Sequence, residues 1–252
     1  MRKYANFIVK SVAVLLLGSA VALVAVIGLF FWRYEYEIGL PDPGKLAMVL
    51  AADPICSSGD GERSFVPLDA TPPVVRKAFL ASEEPDFYSR SAINPYTEIA
   101  EAALFGREPH HAMISNAVAR CLLTSLNRDW SGRTFDWQIS NIVLTGRVER
   151  DLPKDRIFEI YLNETWFGRR SHGAVAAAKA YFGKSLSDLT LDEAAYVAAL
   201  PRAPYYAATN EYGITRRNFV IDRMAKAAAI SPAQAELAKQ QPLLLRQVPE
   251  TR

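Results

Sequence analysis

The strongest pattern in the chain is an apolar run from Ser11 to Trp32, SVAVLLLGSAVALVAVIGLFFW, interrupted only by two serines and two glycines. That is about the ~20 residues a helix needs to cross the hydrocarbon core of a bilayer, so the run predicts a membrane span. Arg2, Lys3 and Lys10 precede it, and Arg33, Glu35 and Glu37 follow. The bias of positive charge puts residues 1–10 in the cytoplasm and everything after Tyr34 outside, with Trp32, Tyr34 and Tyr36 at the outer interface. Ala20-Val21-Ala22 resembles a signal-peptidase site, but the apolar run continues past it, which favours a retained anchor at 11–32.

Beyond the span the periodicity is helical. Leu40-Pro41-Asp42-Pro43-Gly44 reads as a stiff linker, within a linking segment at 33–60. Thr71-Pro72-Pro73 opens a helix, with Thr71 as N-cap, that runs to the break at Glu83-Glu84-Pro85. Pro153 opens another through Leu162. Thr190 with Glu193 forms a capping box before an alanine-rich run ending at Pro201, and Ser231 with Gln234 forms a second, stopped by Pro242. Alternating strand patterns are scarce, so the expectation is one mainly α domain at 61–246, without repeats, and a frayed tail at 247–252.

Composition narrows the function. The chain has 252 residues, half of them apolar, and a formal net charge of +2, without the basic excess that nucleic-acid binding requires. Its mean hydropathy near zero is high for a soluble domain because of the span. Cys56 and Cys121 lie outside the cytoplasm on this topology and are able to pair, although sequence does not decide it. Two cysteines with His110, His111 and His172 give no metal-ligand spacing.

One acid stands out. Val75, Phe79, Ser82 and Glu83 fall at offsets of zero, four, seven and eight, with Ala78 filling the same helical stripe, so Glu83 points toward the core. Desolvation raises a carboxylate's pKa toward neutrality, which makes such a Glu a candidate general acid or base. A helix-end Glu turned to water is the bland alternative.

The run Lys154-Asp-Arg-Ile-Phe-Glu-Ile-Tyr-Leu-Asn163-Glu-Thr-Trp-Phe-Gly168, continued by Gly173-Ala-Val-Ala-Ala-Ala, Tyr181-Phe-Gly-Lys184, Asp188-Leu-Thr-Leu-Asp-Glu193, Leu200-Pro-Arg-Ala-Pro204 and Arg216-Arg-Asn-Phe-Val-Ile-Asp-Arg-Met224, resembles the C-terminal motifs of family 51 peptidoglycan glycosyltransferases. Upstream, Val66-Pro-Leu-Asp-Ala-Thr-Pro-Pro73 and Ala78-Phe-Leu-Ala-Ser-Glu83-Glu84-Pro-Asp-Phe87-Tyr88 resemble the approach to that family's first catalytic motif. The family includes the transglycosylase domain of class A penicillin-binding proteins. The resemblance implies a lysozyme-like, mainly α fold anchored in the bacterial cytoplasmic (inner) membrane by a single pass, facing the periplasm. It implies lipid II or nascent glycan as partner, polymerisation into glycan strands, and a part in cell-wall synthesis and cell shape. Glu83 matches the base that deprotonates the acceptor sugar hydroxyl. Substrate contacts are then expected from Glu84, Arg90, Ser115, Asn116, Arg120, Asn141, Lys154, Asn163 and Arg216, with a divalent cation (Mg or Mn) at Glu84 by analogy. No Ser-x-x-Lys or Lys-Thr-Gly is present, so a monofunctional architecture is expected.

The departures cluster in the chemistry. Glu84, Arg90 and Ala92 stand where the family has Asp, His and Gly. In the second motif the hydroxyls and amides that would bind pyrophosphate have become Ala112, Met113 and Ala117, leaving Ile114, Ser115, Asn116 and Arg120 in character. The third motif, Arg-Lys-x-x-Glu, falls on Trp137-Gln138-Ile-Ser-Asn141, losing two cations and a carboxylate; a slipped register brings in Arg133 and Asp136 at the wrong spacing. Arg169, Arg170 and His172 follow Gly168 where small and aromatic residues are usual, and the two arginines read as a solvated turn or as replacement positive charge. Two functions remain: a divergent, weak glycosyltransferase, or a catalytically inactive member that binds precursor or glycan or scaffolds wall-synthesis partners. A hydrolase using Glu83 alone is poorer, because glycosidases ordinarily employ two carboxylates.

Overall fold

The computed structural model describes residues 2–37, 39–47, 55, 62–94, 97, 101, 104–106, 113–124, 135–202 and 210–247. Cys56, His110, His111, Arg133, Pro204 and the last five residues lie outside them. The chain divides into two compact units, Met1–Leu40 and Pro41–Arg252.

The first unit is the helix α1 (Arg2–Trp32), continued by a wider turn at Arg33–Glu37. Lys10–Tyr36 is long and apolar enough to cross a membrane, and its leucines and valines are exposed.

The second unit is mainly helical. In order it contains a short β1 (Glu62–Arg63), α2 (Pro73–Glu83), α3 (Met113–Thr124), α4 (Phe135–Asp151), α5 (Lys154–Glu164), β2 (Ser171–His172), α6 (Ala174–Phe182), α7 (Leu191–Ala199), α8 (Asn210–Lys226) and α9 (Pro232–Lys239). α7 is the hub of one layer, packed by α2 and α8, while α3 packs on α4 and α5 in the other. Ala194 to Ala199 are all buried, so α7 is apolar around its whole circumference, as a central helix must be. Its alanines let the neighbouring backbones approach closely. An aromatic cluster joins the elements: Phe79 meets Tyr161 and Phe167 edge-on at 6.1 and 5.7 Å, and Phe158 stacks on Tyr161 at 6.4 Å.

The caps agree with the sequence with one exception. Both capping boxes form, at Thr190 and at Ser231. At α2 the N-cap is Pro72, and Thr71 Oγ1 instead donates to the carbonyl of Pro67 at 3.1 Å, within the turn that precedes the helix. With prolines at 72 and 73 two of the helix's first N–H groups are absent, and little is left for a side-chain cap to satisfy.

The polar residues of α5 hold the lead-in segment. Asn163 receives the Val66 N–H at 2.8 Å and donates to the carbonyls of Val66 and Glu159; Glu159 receives the Leu68 N–H at 2.9 Å, and Glu164 pairs with Arg63 at 2.9 Å. β1 then pairs in parallel with β2, Glu62 opposite Ser171 and Arg63 opposite His172. β2 is the return strand of a tight hairpin in which Trp166 bridges His172. The Ser171 N–H donates to the Gly168 carbonyl at 2.8 Å, and the two residues between, Arg169 and Arg170, have φ of 45° and 55°. This is the mirror-image turn that favours Asn and Gly, occupied here by two arginines.

Gly173 caps α6 with φ of 83°, and a Cβ there would stand 2.6 Å from the Asn163 carbonyl oxygen. Because both the dihedral and the space demand glycine, Gly173→Ala is expected to destabilise the fold by roughly 2 kcal/mol or more, read from denaturant unfolding. Unchanged stability would show that α5 and the start of α6 are not in this close contact.

Candidate functional site

Glu83 ends α2 with its side chain turned inward, 6% exposed, as the stripe of apolar residues requires. Its neighbour Ser82 stands 3.3 Å from Glu83 Oε1 and donates to the Ala198 carbonyl of α7 at 2.8 Å. A hydroxyl has one proton, and the shorter contact takes it. α7 thereby fixes the end of α2 that presents Glu83.

The next residue, Glu84, is also buried, and the chain then turns through Phe87 to Arg90. The Arg90 guanidinium clamps two buried carboxylates. Its Nε donates to Glu84, while Nη1 and Nη2 donate to the two oxygens of Glu149 on α4, at 2.9 and 2.6 Å. Ser115 of α3 donates to the same Glu149 carboxylate, and the Ile114 N–H at the start of α3 points to Glu84 at 3.4 Å. Lys154, in the first turn of α5, donates to the carbonyls of Phe87 and Arg90 and lies 5.5 Å over the Phe87 ring. Three helices, α3, α4 and α5, converge on the loop that follows α2.

The two carboxylates differ. Burial pushes Glu84 above the ordinary 4.5, outweighing Arg90 and the Ile114 N–H. Burial acts in the same direction on Glu149, but its bonds from Arg90 and Ser115 hold it below that value. Both oxygens of Glu149 are committed, and so are those of Glu84. Among the described residues no group of three or more His, Cys, Asp or Glu is arranged to hold a metal ion. The residues at Glu84 therefore do not fit a divalent cation: the positive charge between these carboxylates is the Arg90 guanidinium.

The other expected contacts are dispersed. Asn116 donates to Thr145 at 3.3 Å, and Thr145 in turn donates to the Asn141 carbonyl at 2.7 Å. The buried side-chain oxygen of Asn141 has no hydrogen-bond partner among the described residues. Arg120 is exposed, with its guanidinium 5.5 Å over the Trp137 ring. Arg216 lies 5.2 Å over Phe219, whereas its neighbour Arg217 is buried and donates to the carbonyls of Lys239 and Gln241, capping the C-terminus of α9. Asn163 and Lys154 are bonded to backbone rather than open to a ligand. A cleft of about 790 Å³ between the lead-in segment, α2 and α5, lined by Pro67, Arg76, Lys77, Leu80, Asp155 and Glu159 among others, includes none of the expected site residues. Cys121 is disulfide-bonded.

Sequence reasoning missed Glu149. It stands eight residues after Asn141, hence on the same face of α4, and that spacing was the available signal.

A family model described as Transglycosylase matches residues 52–225. The chain is 34% identical over 246 residues to penicillin-binding protein 1A of Escherichia coli (strain K12), covering 90% of this chain and 27% of that protein. It is 31% identical over 254 residues to penicillin-binding protein 1A of Aquifex aeolicus (strain VF5), covering 94% and 34%. The crystal structure of penicillin-binding protein 1A from Haemophilus influenzae aligns with 76% of this chain and 19% of that one, at 25% identity and a TM-score of 0.45. The chain thus spans 27% and 34% of the length of the two relatives.

Arg90→Met strands two buried carboxylates and is expected to cost about 3–5 kcal/mol at neutral pH. In the parent the two carboxyls oppose one another: the depressed Glu149 contributes stability that is lost as pH falls through its folded pKa, and the raised Glu84 contributes stability that is present below 4.5 and lost as pH rises through its folded pKa. In the variant Glu149 loses the bonds that hold it down and Glu84 loses its cation, so burial raises both and both contributions are lost as pH rises past 4.5. Unfolding midpoints between pH 4 and pH 8 are expected to fall more steeply with rising pH in the variant than in the parent; an equal slope would refute the clamp.

Proposed function

The chain belongs to the transglycosylase family, and from that premise we propose that it is a membrane-anchored peptidoglycan glycosyltransferase-like protein. It takes the lipid-linked disaccharide precursor, lipid II, on the outer face of the bacterial cytoplasmic membrane and joins it to a glycan strand, at a low rate. The observation that supports this reading is Glu83: a carboxylate 6% exposed at a helix end, tied to α7 through Ser82 and followed directly by the Arg90 clamp. The helix at Lys10–Tyr36 supports the anchoring, since a substrate held in the bilayer is met at its surface.

In this mechanism Glu83 accepts the proton of the acceptor sugar hydroxyl. The hydroxyl oxygen forms a bond to the anomeric carbon of the donor, the bond from that carbon to the lipid diphosphate breaks, and the diphosphate leaves with the electron pair. Configuration inverts. A positioned base contributes about 10²–10⁴-fold to such a step. The leaving diphosphate needs positive charge, and Trp137 and Gln138 stand where the resemblance expects two cations. Absent donors of that kind cost about 2.7–4 kcal/mol each, which is why the rate is low.

A second reading, in which the domain binds precursor or glycan without turnover or docks on other wall-synthesis proteins, is favoured by Asn141. Its amide stands where the resemblance expects the carboxylate of the third motif, and its buried oxygen has no partner among the described residues.

Full-length protein in detergent, given labelled lipid II with and without Mg, is expected to form polymer slowly, and Glu83→Gln to abolish it. The triple substitution Asn141→Glu, Trp137→Arg and Gln138→Lys is expected to raise the rate about 10²-fold or more, the order of one restored group. Absence of polymer from all three proteins, with saturable precursor binding that Glu83→Gln leaves intact, would replace the enzyme with the binding protein.

A further inference from the structure

The two arginines of the mirror-image turn have a setting that the transglycosylase reading does not use. Beside them lies a cleft of about 520 Å³, within the range of small-ligand sites, lined by Arg169, Arg170, Ser171, Lys179, Arg246 and Glu62. Among the described residues that line it, four are cations and one is a carboxylate. The cleft shares no residue with the Glu83–Arg90–Glu149 cluster.

Three observations distinguish this from a solvated turn. First, the turn takes positive φ at both central positions, where Gly or Asn would sit without strain, yet both carry arginine side chains. Second, Arg169 is built in: it lies 4.4 Å over the Tyr181 ring and donates to the carbonyls of Ala180 and Arg246, at 3.3 and 2.7 Å. Third, the chain after α9 is brought back to this place without regular structure. The Arg246 N–H donates to the Tyr181 carbonyl at 2.7 Å, so Arg246 is fixed from both sides of its peptide unit. Like charges gathered this way repel one another, and an anion relieves the repulsion.

We infer that this cleft is a binding site for a phosphate-bearing anion of at least two negative charges. The excess of three positive charges among the lining residues calls for a multivalent ligand, and the planar guanidinium fork matches phosphate oxygens in pairs. The Ser171 hydroxyl is the neutral polar group at the same edge. The Lys179–Glu62 pair, at 3.1 Å and largely exposed, opens at small cost when an anion enters. The ligand is either a free diphosphate or the headgroups of anionic phospholipid, and the two are separable.

Inorganic pyrophosphate titrated into full-length protein in detergent, followed calorimetrically, probes the free anion. Hydrogen exchange of residues 168–183 in nanodiscs of phosphatidylcholine alone, or with phosphatidylglycerol, probes the headgroup. One of the two is expected to engage the site, and Arg170→Asn and Arg246→Ala each to weaken it about tenfold or more. Arg170→Asn is also expected to melt no lower than the parent, because asparagine tolerates the left-handed conformation; Arg246→Ala tests the charge without touching the turn. Glu83→Gln leaves the binding unchanged, so failure of the glycosyltransferase reading does not obscure the result. Neither probe engaging, or binding indifferent to both substitutions, overturns the site.

Discussion

The Arg90 guanidinium between Glu84 and Glu149 is the interaction on which the loop after Glu83 depends. Removing three charged groups from water costs several kcal/mol per ion, and only good geometry offsets it. The geometry is unequal. Glu149 receives two guanidinium N–H groups and a hydroxyl, while Glu84 receives Nε and a long backbone contact at 3.4 Å. The inequality explains why one carboxyl is held below its ordinary range and the other is pushed above it.

What the clamp fixes is a loop. Residues 84–90 have little apolar content of their own, apart from Phe87 and Tyr88, and no regular structure. Arg90 ties the loop to α4, the Ile114 N–H ties it through Glu84 to α3, Lys154 ties it to α5, and Ser82 ties its helix to α7. Glu83 is thus located by polar contacts from both layers of the domain, a stiffer support than burial alone supplies. Those contacts are directional, so a change of rotamer at any one of them moves the acid.

The sequence was most readable where the signal is local. Helical stripes, prolines and capping boxes act over three to eight residues, and they located α2, α5, α7 and α9 and turned Glu83 inward. Pairings across the chain were not readable: Arg90 and Glu149 are 59 residues apart, and Asn163 reaches Val66 across 97. Periodicity shows that a polar residue faces inward without showing what it meets. Thr71 illustrates the opposite error, because a good N-cap residue before two prolines has few N–H groups to cap. Arg169 and Arg170 hid for a third reason: their composition suggests a surface turn, and only the positive φ values and the returning Arg246 reveal a built cleft.

Asn141 and Glu149 lie on one face of α4, two turns apart, and on the proposed reading the pair explains how the fold stands without the carboxylate that the resemblance expects at 141. A carboxylate at 141 would be an unpaired buried charge unless a ligand or a cation met it, so it is costly to the empty protein. Asparagine lowers that cost to one oxygen without a partner among the described residues. Glu149 is the reverse case: Arg90 and Ser115 use both its oxygens, so it stabilises the structure and cannot be withdrawn for proton transfer without breaking the clamp. The domain on that reading has the carboxylate that ties its layers together and lacks, at 141, the one that only a substrate would stabilise. On the proposed reading Glu83 works without a second carboxylate, and its rate is limited by the stabilisation of the leaving diphosphate rather than by the placement of the base.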